Sequence, residues 1–409
     1  MKAFHSKLRR FSAVLIGLVL IIAGLFKLMD PVGAGLVVEA YLQFFHLGFL
    51  LPLSKVLGTG LALLEAVTGA ALITGVYRKF FAITASVLIV GFTGITFILW
   101  MVNPAFDCGC FGEAIHLTHG QSLLKNLVLL ALACVAFLPF RDYGANRKGK
   151  KIPFYLVSAS FLALVTYSWM FIPMTDFTPF NYHSRLLAAE LEDPHSDQVD
   201  YVTVFIYEKD GQQGSFTEDQ LPDSTWTFIR SESALKEDNY QVQSYPELAF
   251  TDAEGNFCDE RAAEEFVLVC SVPAPEKMSA GQWSRTAGML EGARENGFTP
   301  LLLVTAEPGT AEAFIPESLA PQERYTLIEN ACYADYRTLI SLNRSNGGAT
   351  YFNEGDLVRK WASRKLPQTE DFAALRASDK TDLTITADTR TKLWYQAFFL
   401  YAVAVLFLL

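Results

Sequence analysis

Apolar positions along this chain are gathered into six runs, at residues 11–28, 54–76, 80–101, 122–140, 152–172 and 392–409. Each approaches the roughly 20 residues that a helix needs to cross a bilayer core. Backbone amides and carbonyls find no water there, so each run is predicted to be a membrane-spanning helix. The first continues through Phe26-Lys27-Leu28-Met29-Asp30-Pro31 with no small-residue cleavage site, and reads as a retained span rather than a signal peptide. After it, Pro31 can start a helix, and Leu36, Val37, Ala40, Tyr41, Phe44 and Phe45 recur at helical spacing. That segment is predicted to be a short helix lying at the membrane face or partly re-entrant. Gly17, Gly24, Gly58, Gly60, Gly69, Gly75, Gly91 and Gly94 predict close packing among the first four spans.

Residues 173–391 follow a different pattern. An irregular linker over 173–200 leads into strands at 201–207 and 225–229, with an acidic turn at 218–223 between them. A strand at 248–251 with a turn at 252–256 precedes a continuous apolar run at 265–272, as expected of a buried strand. A helix over 281–296 stops at Gly297, followed by strands at 299–305 and 325–328 and a helix at 334–342. A hairpin over 349–361 and a helix over 369–376 complete the region. The fold class is therefore a multi-pass α-helical membrane bundle plus an α/β soluble domain. Its parts are a four-helix membrane domain (1–140), a basic loop and fifth span (141–172), the soluble domain (173–391) and a last span (392–409).

Charge adds an orientation. Lys2, Lys7, Arg9 and Arg10 precede the first span, Arg78 and Lys79 separate the second from the third, and Arg141, Arg147, Lys148, Lys150 and Lys151 precede the fifth. The alternate loops, 29–53 and 102–121, contain no Lys or Arg. Basic residues stay on the cytoplasmic side, so the N-terminus is expected inside a bacterial inner membrane and residues 173–391 in the periplasm. That outer region holds 18 Lys plus Arg against 37 Asp plus Glu. Such an acidic surface repels nucleic acid, leaving the lipid bilayer and a periplasmic protein as the expected partners.

The loop between spans three and four carries Cys108-Gly109-Cys110, on the same outer side. Two thiols separated by one glycine point to thiol–disulfide chemistry, because the small ring their disulfide closes is strained and readily reduced. A permanent structural disulfide is the competing reading. A metal site is another, but only His116 and His119 lie nearby and zinc takes wider cysteine spacing. Glu65, the only acid within a predicted span, is a candidate proton relay or a partner for Lys27. Lys27, Lys55 and Lys125 sit near outer helix ends, where snorkelling accounts for them. A charge at Lys125 would also favour a thiolate at Cys110. Asn126 beside it is a candidate for a hydrogen bond within the bundle. Cys134 and Cys270 read as packing residues, and Cys258, Cys270 and Cys332 make an odd number, so one stays free unless it pairs elsewhere. No cofactor motif is evident, and a membrane quinone as electron acceptor has no motif behind it.

The first four spans resemble the MauE branch of the DoxX superfamily of four-helix membrane proteins. The resemblance is carried by Gly24-Leu25-Phe26-Lys27-Leu28 with Asp30-Pro31, by Gly60, Glu65 and Gly69 followed by Arg78-Lys79, and by Cys108-Gly109-Cys110-Phe111-Gly112 ahead of Lys125-Asn126. It implies a redox-associated role, MauE being linked to methylamine utilisation and to disulfide formation in a partner enzyme. The soluble part is similar to thioredoxin-like domains of the TlpA kind, through residues 248–255, Phe266-Val267-Leu268-Val269 and residues 348–361. It departs from them where chemistry is concerned. No Cys-x-x-Cys follows the first buried strand, where Ser271-Val272-Pro273-Ala274-Pro275-Glu276 stands, and Gly347-Gly348 occupies the place of the cis-proline. The expected role of that domain is docking, not dithiol catalysis.

Two functions of different class follow. In one, Cys108 and Cys110 perform thiol–disulfide exchange or electron transfer that supports maturation of a periplasmic partner, as an oxidoreductase or an accessory to one. In the other, the chain is a non-catalytic membrane scaffold whose acidic domain docks a partner.

Overall fold

All six apolar runs fold as helices in the computed structural model, which describes residues 2–104, 106, 108–115, 117–138, 147–170, 178–182, 184–192, 201–209, 212–217, 222, 225–235 and 245–409. Two compact units result, one of Met1–Phe177 with Leu393–Leu409 and one of Thr178–Lys392. In the first, helices α1 (Lys2–Met29), α2 (Pro31–Phe44), α3 (Ser54–Thr74) and α4 (Arg78–Val102) precede a short extended segment, β1 (Cys110–Glu113). Helices α5 (His119–Phe137) and α6 (Lys151–Met170) follow. Except for α2, each of these helices is long and apolar enough to cross a membrane, as is the C-terminal helix described below.

Local chemistry sets the ends of these helices. Pro31 opens α2, and the Asp30 carboxylate accepts the Gly33 amide as its N-cap. Gly75, at φ +75°, ends α3 in the left-handed region, where a glycine is favoured. The Arg10 guanidinium donates to the carbonyls of Leu72 and Ile73 there, and Arg78 donates to that of Gly75. These cations satisfy carbonyls that the last turn leaves open, at the negative end of the helix dipole.

Glycine packing is concentrated between α1 and α3. A Cβ on Gly24 would lie 2.7 Å from the Ala62 carbonyl, and one on Gly69 would lie 2.5 Å from that of Gly17. Both contacts are shorter than real Cβ atoms make, so the backbones meet where only glycine fits. Gly60, Gly91 and Gly94 meet nothing within 4 Å, so the close packing expected of them is absent. The bundle core joins Ile16, Leu20 and Ile21 of α1 to Ala62, Ala66 and Ala70 of α3, Ile89 of α4 and Leu129 of α5.

In the second unit, α7 (Leu187–Glu192) precedes β2 (Tyr201–Lys209), β3 (Gln212–Thr217) and β4 (Thr227–Leu235), an antiparallel sheet ordered β3-β2-β4. A mixed sheet follows, built from β5 (Val267–Val272), α8 (Ala280–Glu295), β6 (Thr299–Val304), α9 (Pro321–Glu329), β7 (Ala331–Tyr333), α10 (Tyr336–Leu342), β8 (Gly348–Asn353), β9 (Asp356–Trp361) and α11 (Thr369–Ala377). Its strand order is β7-β6-β5-β8-β9, parallel from β7 to β5 and antiparallel beyond. Central strand β5 is buried on both faces. Leu268, Cys270 and Val272 pack with Trp283 and Leu290 of α8 and Phe372 of α11, while Val267 and Val269 pack with Leu339 and Leu342 of α10. The last helix, α12 (Lys380–Leu408), carries the chain back into the first unit, where the Tyr401 and Ser160 hydroxyls lie 2.6 Å apart.

Several expectations need correction. The strand expected at 325–328 is part of α9, which Pro321 opens and Glu323 caps by accepting the Ala320 amide. Residues 248–251 form no strand. Thr251 instead makes single bridges to Phe257 and Tyr333, although the turn at 252–256 is present. Strand β3 was not anticipated, being polar and glycine-containing. The final helix begins well before residue 392, because Asp379 caps it by accepting the amides of Thr381 and Asp382. The linker at 173–200, the acidic turn at 218–223 and the basic loop at 141–147 lie partly or largely outside the described residues.

Candidate functional site

The two thiols of the outer loop are placed by a turn that only glycine permits. Gly109 has φ +57°, and a Cβ there would lie 2.4 Å from the Val37 side chain of α2. The amide of Gly112 closes the turn on the Gly109 carbonyl at 3.0 Å. Tyr41 of α2 donates its hydroxyl to the Cys108 carbonyl and sets its ring edge-on to Phe106. On the far side, Thr118 and Gln121 form a capping box that starts α5. The loop is thus held at both ends and in its middle. As a result the sulfurs of Cys108 and Cys110 lie 2.6 Å apart, and neither is joined to another cysteine.

Positive charge gathers on one of these sulfurs. The Cys108 thiol hydrogen-bonds Cys110, Lys125 adds its charge and a hydrogen bond, and the charge of Lys27 reaches it as well. Against the opposing effect of burial, these hold Cys110 well below the usual thiol range. Cys108 shifts the other way, because its proton is shared with Cys110 and its surroundings are apolar. Of the two, Cys110 is the sulfur on which a thiolate is favoured. Cys110 is also the more exposed of the two.

Lys27 lies beneath the loop, its Nζ 2.8 and 2.9 Å from the two carboxylate oxygens of Glu65. Glu65 is 1 % exposed and Lys27 9 %. Lys27 therefore does not snorkel to the interface, as its place near a helix end had suggested, and its pairing with Glu65 is observed. Lys125 lies 4.9 Å over the Phe111 ring and Lys55 4.7 Å over that of Trp169. Asn126 bridges α5 to α4, donating to the Phe92 carbonyl and to Thr96 Oγ1.

Residues 6–139 match the family of methylamine utilisation protein MauE. The match spans about the first third of the chain, in a multi-pass membrane protein. Residues 201–238 match a domain of unknown function, DUF8463, over the segment that forms the sheet of β2, β3 and β4. Neither a curated protein nor a solved structure matches the chain.

Within the matched segment, the cysteine loop roofs a cavity of about 120 Å³. Leu20, Ala23, Ile89, Phe92 and Leu129 are among its carbon walls, and Cys108, Cys110, Lys27, Glu65, Lys125 and Asn126 reach it too. All five residues singled out from the sequence, Cys108, Cys110, Glu65, Lys27 and Lys125, therefore border one space. Of the nearby histidines, His119 lies 3.1 Å from the Pro104 carbonyl through Nε2, and His116 is outside the described residues, as is Asp107.

The remaining cysteines separate into distinct kinds. Cys134 of α5 is exposed rather than packed as expected. Cys270 is fully buried in β5, and burial pushes its thiol up to about 12. Cys258 and Cys332 lie side by side, a pairing the sequence reading missed. The backbone of Thr251 bridges to Phe257 on one side and Tyr333 on the other, and the thiols of Cys258 and Cys332, both free, interact with each other. Arg261 donates to the Cys332 sulfur. An oxidised sample, digested without reduction, should therefore yield a peptide joining Cys258 to Cys332. Recovery of both thiols alkylated, under conditions that oxidise exposed cysteines, would count against the pairing.

Proposed function

We propose that Cys108 and Cys110 exchange a disulfide with thiols of a partner protein outside the cytoplasm. The observation that carries this reading is the adjacency of two free sulfurs, 2.6 Å apart, at a site that Lys27 and Lys125 also border. In the reducing direction, the Cys110 thiolate attacks a partner disulfide and Cys108 resolves the mixed disulfide, leaving Cys108–Cys110 oxidised and the partner reduced. In the other direction a partner thiolate attacks Cys110, Cys108 leaves, and a second partner thiol completes the transfer. The MauE family is described by methylamine utilisation. For this chain that supports an accessory role in maturing a periplasmic redox protein, with no commitment to methylamine as a substrate.

The distribution of Lys and Arg supports an inner-membrane protein with its N-terminus in the cytoplasm and both the cysteine loop and residues 178–392 in the periplasm. The sequence β5-α8-β6, the antiparallel pair β8-β9 and the closing helix α11 support a thioredoxin-like reading of the mixed-sheet domain. No Cys-x-x-Cys stands directly after β5, where the chain reads Pro273-Ala274-Pro275-Glu276-Lys277. Asn346 fastens the loop after β5 by accepting the Ala274 amide at 3.0 Å and donating to its carbonyl at 2.8 Å. A domain so fastened suits docking of a partner better than dithiol exchange.

A membrane-impermeant maleimide applied to reduced whole cells with a permeabilised outer membrane tests both parts. At about pH 6, well below the ordinary thiol pKa of about 8.5, Cys110 should be labelled and Cys108 spared. Labelling of Cys110 only after the inner membrane is broken would overturn the orientation. Equal labelling of the two would overturn the preference for a thiolate at Cys110. A pair that never reduces, in cells or with dithiothreitol, would leave the scaffold reading in its place.

A further inference from the structure

The cavity under the cysteine loop is the feature that thiol exchange with a protein partner leaves unused. We infer that it admits the ring of a lipid-soluble quinone, which takes electrons from the Cys108–Cys110 dithiol; this rests on the exchange reading above and supplies its terminal acceptor. The volume of about 120 Å³ is on the scale of one six-membered ring, since an apolar cavity of about 150 Å³ accepts benzene. Carbon dominates the walls, so the space favours an apolar occupant over water or a soluble disulfide. Those walls come from α1 to α5, four of which are long and apolar enough to span the bilayer, where a lipid-soluble acceptor resides.

The polar groups among that carbon match the needs of a quinone. Its ring carbonyls require donors, and Lys27 and Lys125 are among the residues that line the cavity. Its reduction requires electrons and protons together. The Cys108 S–H bond breaks, the bond between Cys108 Sγ and Cys110 Sγ forms, and the electron pair released reduces the quinone to a hydroquinone. Cys108 supplies one proton. The other comes from the ammonium of Lys27, which is paired with Glu65. The two sulfurs already lie 2.6 Å apart, so the disulfide can close with little movement of the loop.

The test uses the full chain, reduced and reconstituted in lipid nanodiscs, with decylubiquinone in one arm and oxidised glutathione in the other. The intact protein should reduce decylubiquinone as the Cys108–Cys110 disulfide appears, and a variant lacking both thiols (Cys108→Ser with Cys110→Ser) should not. Ile95→Trp, which fills the cavity from α4, should slow the quinone arm about tenfold or more and leave the glutathione arm near its original rate. Val38→Phe, from α2, should act in the same direction. Oxidation by glutathione disulfide without quinone reduction would overturn the inference and spare the exchange reading. Quinone reduction unaffected by both filling variants would also overturn it. Failure of both arms in the intact protein would overturn the exchange reading together with it.

Discussion

Cys108→Ser should trap a covalent complex with the partner through Cys110, whereas Cys110→Ser should trap none. Both replacements should abolish complete exchange, because a disulfide transfer needs a second sulfur to resolve the first. The asymmetry follows from the site, in which Cys110 is the more exposed residue and its sulfur the one favoured as thiolate. Non-reducing gels of membranes from each variant, blotted for the protein and followed by identification of any adduct, read the outcome directly. Protein abundance should stay near that of the parent, since Tyr41 and the turn at Gly109 hold the loop without help from the sulfurs. If both variants lose abundance equally and neither yields an adduct, the pair is a structural clamp.

Much of the membrane domain could be read from the sequence because a bilayer imposes a length on each apolar run, and these runs meet it. The start of α2 at Pro31 was readable for a similar reason, the signal being local. Helix α9 was misread because its interior, Tyr325-Thr326-Leu327-Ile328, is rich in strand-forming residues over too few positions to show a helical period. Its capping by Glu323 was the signal that could have corrected it. At the site, residue types alone picked out Cys108, Cys110, Glu65, Lys27 and Lys125. Lys27 and Glu65 are 38 positions apart, so their meeting depends on how α1 crosses α3, which no local pattern encodes. The cavity belongs to the same category, as does the adjacency of Cys258 and Cys332.

Lys27→Met should destabilise the chain by about 3–5 kcal/mol, because it leaves the Glu65 carboxylate buried without its partner. Combining it with Glu65→Leu should recover most of that loss, since apolar side chains can replace a buried ion pair at little cost. Thermal unfolding of the detergent-solubilised full chain, compared across the two single variants and the double, measures the coupling. Equal losses that simply add in the double variant would show that the pair contributes no coupling. The same variants separate structure from chemistry: a double variant that folds but reduces quinone slowly would show that the pair acts in quinone reduction as well as in folding.

Arg10 and Arg78 bring one further consequence for anyone engineering this protein. Their guanidiniums are fastened to the carbonyls that close α3 at Leu72, Ile73 and Gly75. Substitutions meant to invert the protein in the membrane by moving positive charge would therefore also unravel the end of a helix that carries Glu65. A loss of activity after such charge swapping could not be blamed on orientation alone, and Lys7 and Lys79 offer cleaner positions at which to alter the balance.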